Sequence, residues 1–403
     1  MKLNLSAPAV RRDPYPTYAY LRKYEPLIAV KRRFVGRVWY LSRYEDVATA
    51  LRDPRLVSRR SSVGDGKGWP WWMPRSFRPF VESLVTSDGD DHRRLRALVQ
   101  VAFTPRRIAD LQTQVETVIA NQIDVLASKG ARGPVDLIED FALPVPLAII
   151  SNMMGVRQEQ QLAFHRLTNH FVELAEHGVA GLFIGARNTR KLILFLREQV
   201  AEKRANPGDD LISALLVAEA DGERLTVEEV AAMIFLLLLA GHETTVNLIG
   251  SGTLALLDNP SQFELLREDP TLAELAVEEL LRFTNPVEQA SPRYAKEPIE
   301  LYDRVIRRGE IVVLVLASAN RDPEVFNRAD ELDITRTPNR HLAFGHGVHY
   351  CLGAPLARME GRIAVNALLA RFPGVRLAVP RDRIEWRRST LLRGTKRLPV
   401  LVA

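Results

Sequence analysis

The sequence contains one cysteine, Cys351, in the most chemically loaded stretch of the chain, HLAFGHGVHYCLGAPLAR. Gly345, Gly347 and Gly353 surround it, and Pro355 suits the first turn of a following helix. A thiol just ahead of a helix N-terminus feels unpaired N–H groups and the positive end of the helix dipole, and both favour the thiolate. Glycines let backbone amides approach the sulfur and let a flat ligand come close. Such a group could bind a metal, attack as a nucleophile with His349 as its base, or sit inert in the core. A second stretch, LLLLAGHETTVN, places Glu243 and Thr244 in the middle of an apolar run. A carboxylate and a hydroxyl are costly to bury there without a purpose. Gly241 gives up about 1 kcal/mol of helix propensity relative to alanine. In return it leaves room for a small ligand and permits a bulge or kink. The competing arrangement bonds Thr244 back to the carbonyl four residues earlier and pairs Glu243 with a cation. Two further pairs share helix faces by spacing: Glu279 with Arg282, and His92 with Arg96.

Phe344, Gly347, His349, Cys351 and Gly353 match F-x-x-G-x-H-x-C-x-G at every position. The segment resembles the haem-binding loop of the cytochrome P-450 family, the haem-thiolate monooxygenases. In that family a cysteine thiolate ligates haem iron and pushes electron density onto it, which favours O–O cleavage. The resemblance therefore implies Cys351 as the iron ligand of haem b (iron protoporphyrin IX). Ala240, Gly241, Glu243, Thr244 and Thr245 match the family's [AG]-G-x-[DE]-T-[TS]. The match implies that Ala240 and Gly241 border the cofactor, that Thr244 hydrogen-bonds iron-bound dioxygen or peroxide, and that Glu243 relays protons to it through water. Glu279 and Arg282 become the E-x-x-R pair, a buried structural pair behind the haem that serves folding and haem retention. The family often places a basic residue two before the Asp of a later F-D-x-x-R segment. Here ELDITR puts Glu331 there, so the third member is open between Arg336 and Arg340. By the same resemblance His92, Arg96, Arg293 (in SPRYA) and His349 are ligands of the haem propionates, a task to which arginine is suited. The phrase NRDP, 320–323, also fits. The resemblance runs from about Asp13 to the C-terminal LPVLV and suits the soluble bacterial branch.

The elements that must position these residues follow from periodicity and punctuation. RVWYLSRYEDVATALRDP reads as a strand and then a Ser42-capped helix ending before Pro54. Residues 57–91 read as a long loop carrying Trp69, Trp71 and Trp72, a lid or binding wall. Helical pattern dominates from His92 to about Val200. Thr226 and Glu229 form a capping box that opens the longest helix, which runs to Asp258 before Pro260 and is apolar all round in its middle, hence buried. Leu272–Phe283 is a further helix, IELYD and VIRRGEIVVLVLASAN read as strands, and a helix spans about Pro355–Arg371. The fold class is mainly α with small β-sheet regions. Length alone would suggest about two or three domains. The long central helix, placed over the haem by the resemblance, argues instead for a single domain, residues 1–403, of the cytochrome P-450 fold.

Composition sets the limits. One cysteine excludes intrachain disulfides and multi-thiolate metal sites. With 46% apolar and 26% charged residues over 403 positions, the chain can bury a core without staples. Its 46 Arg and nine Lys give a net charge of +6 but are scattered, so no nucleic-acid partner is expected. No signal-peptide core is present and the longest apolar stretch, Val230–Ala240, is short for a membrane span, so a cytoplasmic protein without membrane attachment is expected. The resemblance implies a monooxygenase that places one atom of dioxygen in a small lipophilic organic substrate, by hydroxylation or epoxidation. Its electrons would come from a ferredoxin or flavodoxin served by a reductase, docked at Arg93, Arg94, Arg106, Arg107, Arg358 and Arg362. Pocket candidates by family analogy are Trp69, Trp71, Trp72, Leu239, His242, Val287, Gln289, Ala290 and Leu392. The alternatives are a peroxygenase and a non-enzymatic haem-binding or sensor protein, and the Glu243–Thr244 pair argues against both.

Overall fold

The computed structural model describes residues 5, 7–32, 36–63, 83–100, 103–157, 159–161, 163, 166–167, 186–220 and 223–402. Trp69, Trp71 and Trp72 lie outside the described residues. The chain is mainly helical with small sheets. It packs as two compact units, each assembled from segments separated in sequence.

The first unit comprises 1–65, 115–144 and 244–403. Its main sheet has five strands: β1 (Leu27–Arg32), β2 (Gly36–Leu41), β3 (Leu56–Val57), β4 (Arg293–Ala295) and β5 (Ile311–Leu314), in the spatial order β1-β2-β5-β4-β3. The β2–β5 pair is parallel, with Val38 opposite Ile311, and its other pairs are antiparallel. Alternation sorts the side chains: Trp39, Leu41, Val312 and Leu314 enter one apolar cluster, Val38, Tyr40 and Val313 the other. Both faces are therefore covered. The helix after β2 runs Tyr44–Ala50, but Ser42 does not cap it, because the Ser42 hydroxyl bonds the Pro26 carbonyl. Asp322, from the NRDP phrase, accepts from the Tyr44 N–H instead, at 2.8 Å. The strand expected through LASAN also ends early. Leu316–Ala319 is a helical turn, and its amides bond back to Val315 and Glu288 rather than across the sheet.

The second unit comprises 66–114 and 145–243. It contains the helix Gly89–Gln100, most of Pro144–Met153, and Ala186–Ala205. The longest helix, Val227–Leu257, begins here, and its residues from Thr244 onward belong to the first unit. Its start is the expected capping box: the Thr226 N–H donates to Glu229 Oε2 at 2.8 Å and the Glu229 N–H to Thr226 Oγ1 at 3.2 Å. The helix is not buried all round, as its apolar sequence suggested. Leu236, Leu237, Leu239, Gly241 and Thr244 are half-buried and Ala240 is exposed.

One buried acid has no ion partner among the described residues. Glu360, on the helix Ala354–Arg371, is 1% exposed and its Oε2 has no hydrogen-bond partner among the described residues. Burial pushes its carboxyl up to about 8, against an ordinary 4.5. The folded state thus holds a proton that the unfolded chain releases above pH 4.5. The contribution of Glu360 to stability falls as pH rises from there to about 8 and is flat beyond. A Glu360→Gln protein should match the parent near pH 4 and gain stability progressively to pH 8, by up to about 4 kcal/mol. Urea denaturation across that range checks it, and a constant difference would show that Glu360 does not titrate with folding.

Candidate functional site

The loop around Cys351 is built by two glycines with left-handed backbone, Gly345 (φ +70°) and Gly347 (φ +73°). At Gly347 a Cβ would also meet the Leu51 carbonyl oxygen at 3.1 Å, so glycine is required there on two counts. The Cys351 N–H donates to the Phe344 carbonyl at 3.0 Å, and the thiol is exposed. Gly353 precedes the helix Ala354–Arg371, with proline in its first turn as expected. Its φ is −83° and a Cβ would meet nothing within 4 Å, so no protein contact there demands glycine.

Phe344 is held from the helix side. The Arg358 guanidinium lies 4.5 Å above its ring and is clamped to Glu278 by bonds of 2.6 and 2.8 Å. His341 adds a 3.1 Å contact to the same carboxylate. Burial alone would raise the Glu278 carboxyl, but the bonds from Arg358 and His341 outweigh it and hold it down to about 2. Arg358 is therefore an internal clamp, not a free docking charge. Arg94 is likewise paired with Glu229, and Arg93 with Asp90.

Arg293 and His349 come together at a residue that sequence reasoning missed. The Ser58 hydroxyl accepts from Arg293 Nη1 and lies 3.2 Å from His349 Nε2. Arg293 is 4% exposed. Nothing in the motif pattern marks Ser58, which arrives through the pairing of β3 with β4. In the second unit His92 is buried and Arg96 half-buried, one turn apart on Gly89–Gln100.

On the long helix, Ala240, Gly241 and Thr244 share the accessible face, and Glu243 is 1% exposed behind it. Gly241 interrupts nothing: the helix is continuous from Val227 to Leu257, and a Cβ at Gly241 would crowd Ile150 at 3.2 Å. His242, expected at the pocket, is fully buried away from that face. Its Nδ1 bonds the Leu238 carbonyl and its Nε2 is 3.5 Å from Glu243 Oε1.

Glu279 and Arg282 have no exposed side-chain surface and form a two-pronged pair, with both bonds at 2.7 Å. Arg336 is the third member, with its Nε 3.1 and 3.2 Å from the two Glu279 oxygens. Arg340 is not: among the described residues its side chain makes no bond to Glu279, and its carbonyl accepts from the Tyr44 hydroxyl. Arg282 fills its remaining donors with the carbonyls of Asn320, Ala329 and Glu331. The missing basic side chain at 331 is thus replaced by Arg336, while the Glu331 carbonyl accepts from Arg282.

Among the pocket candidates, Val287 bridges Leu392, and both Val287 and Ala290 pack on the sheet cluster. Gln289 is 7% exposed, and its Nε2 has no partner among the described residues. Leu239 is half-buried on the long helix. Between Val287 and Gln289, Glu288 is fully buried and paired with Arg11 at 2.7 and 2.9 Å. The Tyr18 hydroxyl also donates to it. Burial first, and then Glu288, raise the Tyr18 phenol well above its usual value, so it stays protonated. This brace was not readable from the sequence, since its members are far apart in the chain.

The donor chemistry fits a haem: one thiol beside a helix start, open space at Gly353, and arginine and histidine suited to carboxylates. Removing Arg336 should expose how far the arrangement depends on its ion network. Arg336→Leu leaves Glu279 with one fewer cation and should cost about 3 kcal/mol or more. Urea denaturation measures the loss, and Arg336→Lys should recover part of it.

The comparisons point the same way. The Cytochrome P-450 family model matches residues 182–396. Cytochrome P-450 107B1 of Saccharopolyspora erythraea is 42% identical, covering 97% of this chain and 96% of its own. Vitamin D(3) 25-hydroxylase of Pseudonocardia autotrophica is 42% identical over 96% and 94%. The solved structure of cytochrome P-450 PksS of the Bacillus subtilis bacillaene polyketide synthase is similar throughout, with a TM-score of 0.92, 36% identity and 100% of both chains covered.

Proposed function

The chain belongs to the cytochrome P-450 family, and on that premise we propose how its residues divide the work of a haem-dependent monooxygenase. The reaction consumes a lipophilic substrate, dioxygen, two electrons and two protons, and yields the oxygenated substrate and water. A separate redox partner supplies the electrons. Haem b, when bound, supplies the activation of dioxygen. The rest is the task of the chain.

Cys351 would hold the iron as a thiolate, its charge favoured by the helix start behind it. Phe344, Gly347 and Gly353 would shape the loop against the cofactor. Arg293 and His349, joined at Ser58, would bind a propionate, and so would His92 and Arg96. Ala240 leaves the face of the long helix low, so that a ligand can approach beside Thr244, and Gly241 gives Ile150 room to pack there. The Thr244 hydroxyl would hold a proton at Oγ1 and pass it on. Glu243, buried in the same helix, would resupply it. Glu279, Arg282 and Arg336 would act by holding the fold. Leu239, Val287, Gln289, Ala290 and Leu392 would line the substrate, with the Gln289 amide as a donor to a substrate oxygen. A ferredoxin or flavodoxin would serve as the electron donor, through Arg106, Arg107 and Arg362 more than through the paired Arg358 and Arg94. The protein would work in the cytoplasm as one haem domain.

The observation that carries this reading is the thiol of Cys351, exposed in a glycine-built loop at a helix start. Cys351→Ser should lose the red-shifted thiolate band of the reduced carbon-monoxide complex, and retention of that band would overturn the ligand assignment. Thr244→Ala should keep that band and keep consuming reductant while forming less product. Unchanged product per reductant consumed would remove Thr244 from proton delivery.

A further inference from the structure

The first unit holds a second cleft, of about 530 Å³, that none of these roles uses. It is large enough for a small organic ligand. Ser251 of the long helix lines it and is 4% exposed. Its hydroxyl has no hydrogen-bond partner among the described residues. A buried helical hydroxyl ordinarily bonds back one turn, as Thr253 does to the Ile249 carbonyl at 2.8 Å. Arg321 lines the same cleft, also 4% exposed, and its Nε has no acceptor among the described residues. Its other nitrogens bond the Phe283 carbonyl at 2.9 Å and Asp330 at 3.2 Å. Among the described residues Arg393, again 4% exposed, donates only to the carbonyls of Arg11 and Arg12.

The charge is therefore divided by depth. Two guanidinium groups are buried in the wall, and the one carboxylate among the described residues that pairs with either of them, Asp330, is 67% exposed. The carboxylates bordering the cleft, Asp13, Asp258 and Asp382, are all exposed, and Asp258 is already paired with Arg381 at 2.8 Å. A buried cation without a full counter-charge is costly, and an anion entering the cleft would lower that cost. The wall is also flat and aromatic. Arg321 lies 3.6 Å from the Phe283 ring and 4.0 Å from Tyr15, and Arg393 lies 4.1 Å from Trp386.

We propose that this cleft is a binding site for a small aromatic carboxylate, separate from the haem pocket. Its carboxylate is drawn to the Arg321 and Arg393 guanidinium groups and reaches the Arg321 Nε–H and the Ser251 hydroxyl as the wall yields to it, and its ring lies against the Trp386 side. The site adjoins the pocket wall through the chain itself, because Arg393 follows Leu392, which bridges Val287. Occupancy is thus placed to act on substrate binding.

The test uses the haem-loaded enzyme saturated with an iron-ligating azole, so that the haem pocket is filled. 2-Naphthoate is titrated by calorimetry while the Soret band is followed. One saturable site with an unchanged Soret band is expected. 2-Naphthamide, which keeps the ring and loses the charge, should bind at least about tenfold more weakly. Ser251→Ala should weaken naphthoate by about tenfold, and Ser251→Leu, which fills the cleft, should abolish its binding. The proposal fails if naphthoate gives no heat in the azole-saturated enzyme. It also fails if the amide binds equally well, or if Ser251→Leu with an intact thiolate band binds as the parent does. The amide comparison is made on the unaltered protein and so does not depend on a variant folding.

Discussion

Glu279 and Arg282 form an ion pair with no exposed side-chain surface, and neither could be buried without the other. Taking both out of water costs several kcal/mol each, and only near-complete hydrogen bonding offsets it. The Glu279 carboxylate receives Arg282, Arg336, the Asn339 amide and the Asp333 N–H. Arg282 spends its remaining donors on three carbonyls between Asn320 and Glu331. That irregular stretch is therefore nailed to one helix face. From it the order passes on: the Asn320 amide oxygen accepts from the Leu342 N–H, the Leu342 carbonyl from Gly345, and the Phe344 carbonyl from Cys351. The cysteine loop is connected to the ion network by four successive hydrogen bonds.

The neighbouring carboxylate works on the other side of the loop. Glu278 draws Arg358 down onto Phe344 and takes His341 as well. One helix, Ala273–Thr284, thus presents two adjacent acids that fix the loop from two directions. A rigid frame of this kind matters where a single sulfur must be held in one place. The same logic explains the brace behind Val287 and Gln289. Glu288 alternates away from them and is locked by Arg11 and Tyr18, so the pocket wall is set by residues that never line it.

Much of this was legible from local pattern. The glycines at 345 and 347, the proline after Gly353 and the capping box at Thr226 each express a local backbone rule, and each stands where its residue type predicts. The central helix was legible in extent, but not in which face stays accessible. An apolar side chain is compatible with either a packed neighbour or an open wall, and only the fold distinguishes Leu238, fully buried, from Leu237 and Leu239, half-buried. Ser42 shows the opposite error. Its type suits a cap, but the Pro26 carbonyl captured its hydroxyl and left the cap to Asp322.

The sequence by itself determined the chemistry available to this protein: one thiol, its helix start, an acid and an alcohol in an apolar helix, and an i, i+3 ion pair. These are short-range patterns, written in neighbouring residues and bound by backbone geometry. Only the tertiary structure decided that Arg336 and not Arg340 completes the ion network, that Ser58 joins Arg293 to His349, and that Arg358 is already occupied by Glu278. Those choices pair side chains 57 to 291 residues apart. At such separations no periodicity links the partners, and competing arginines of equal charge differ only in where the fold delivers them.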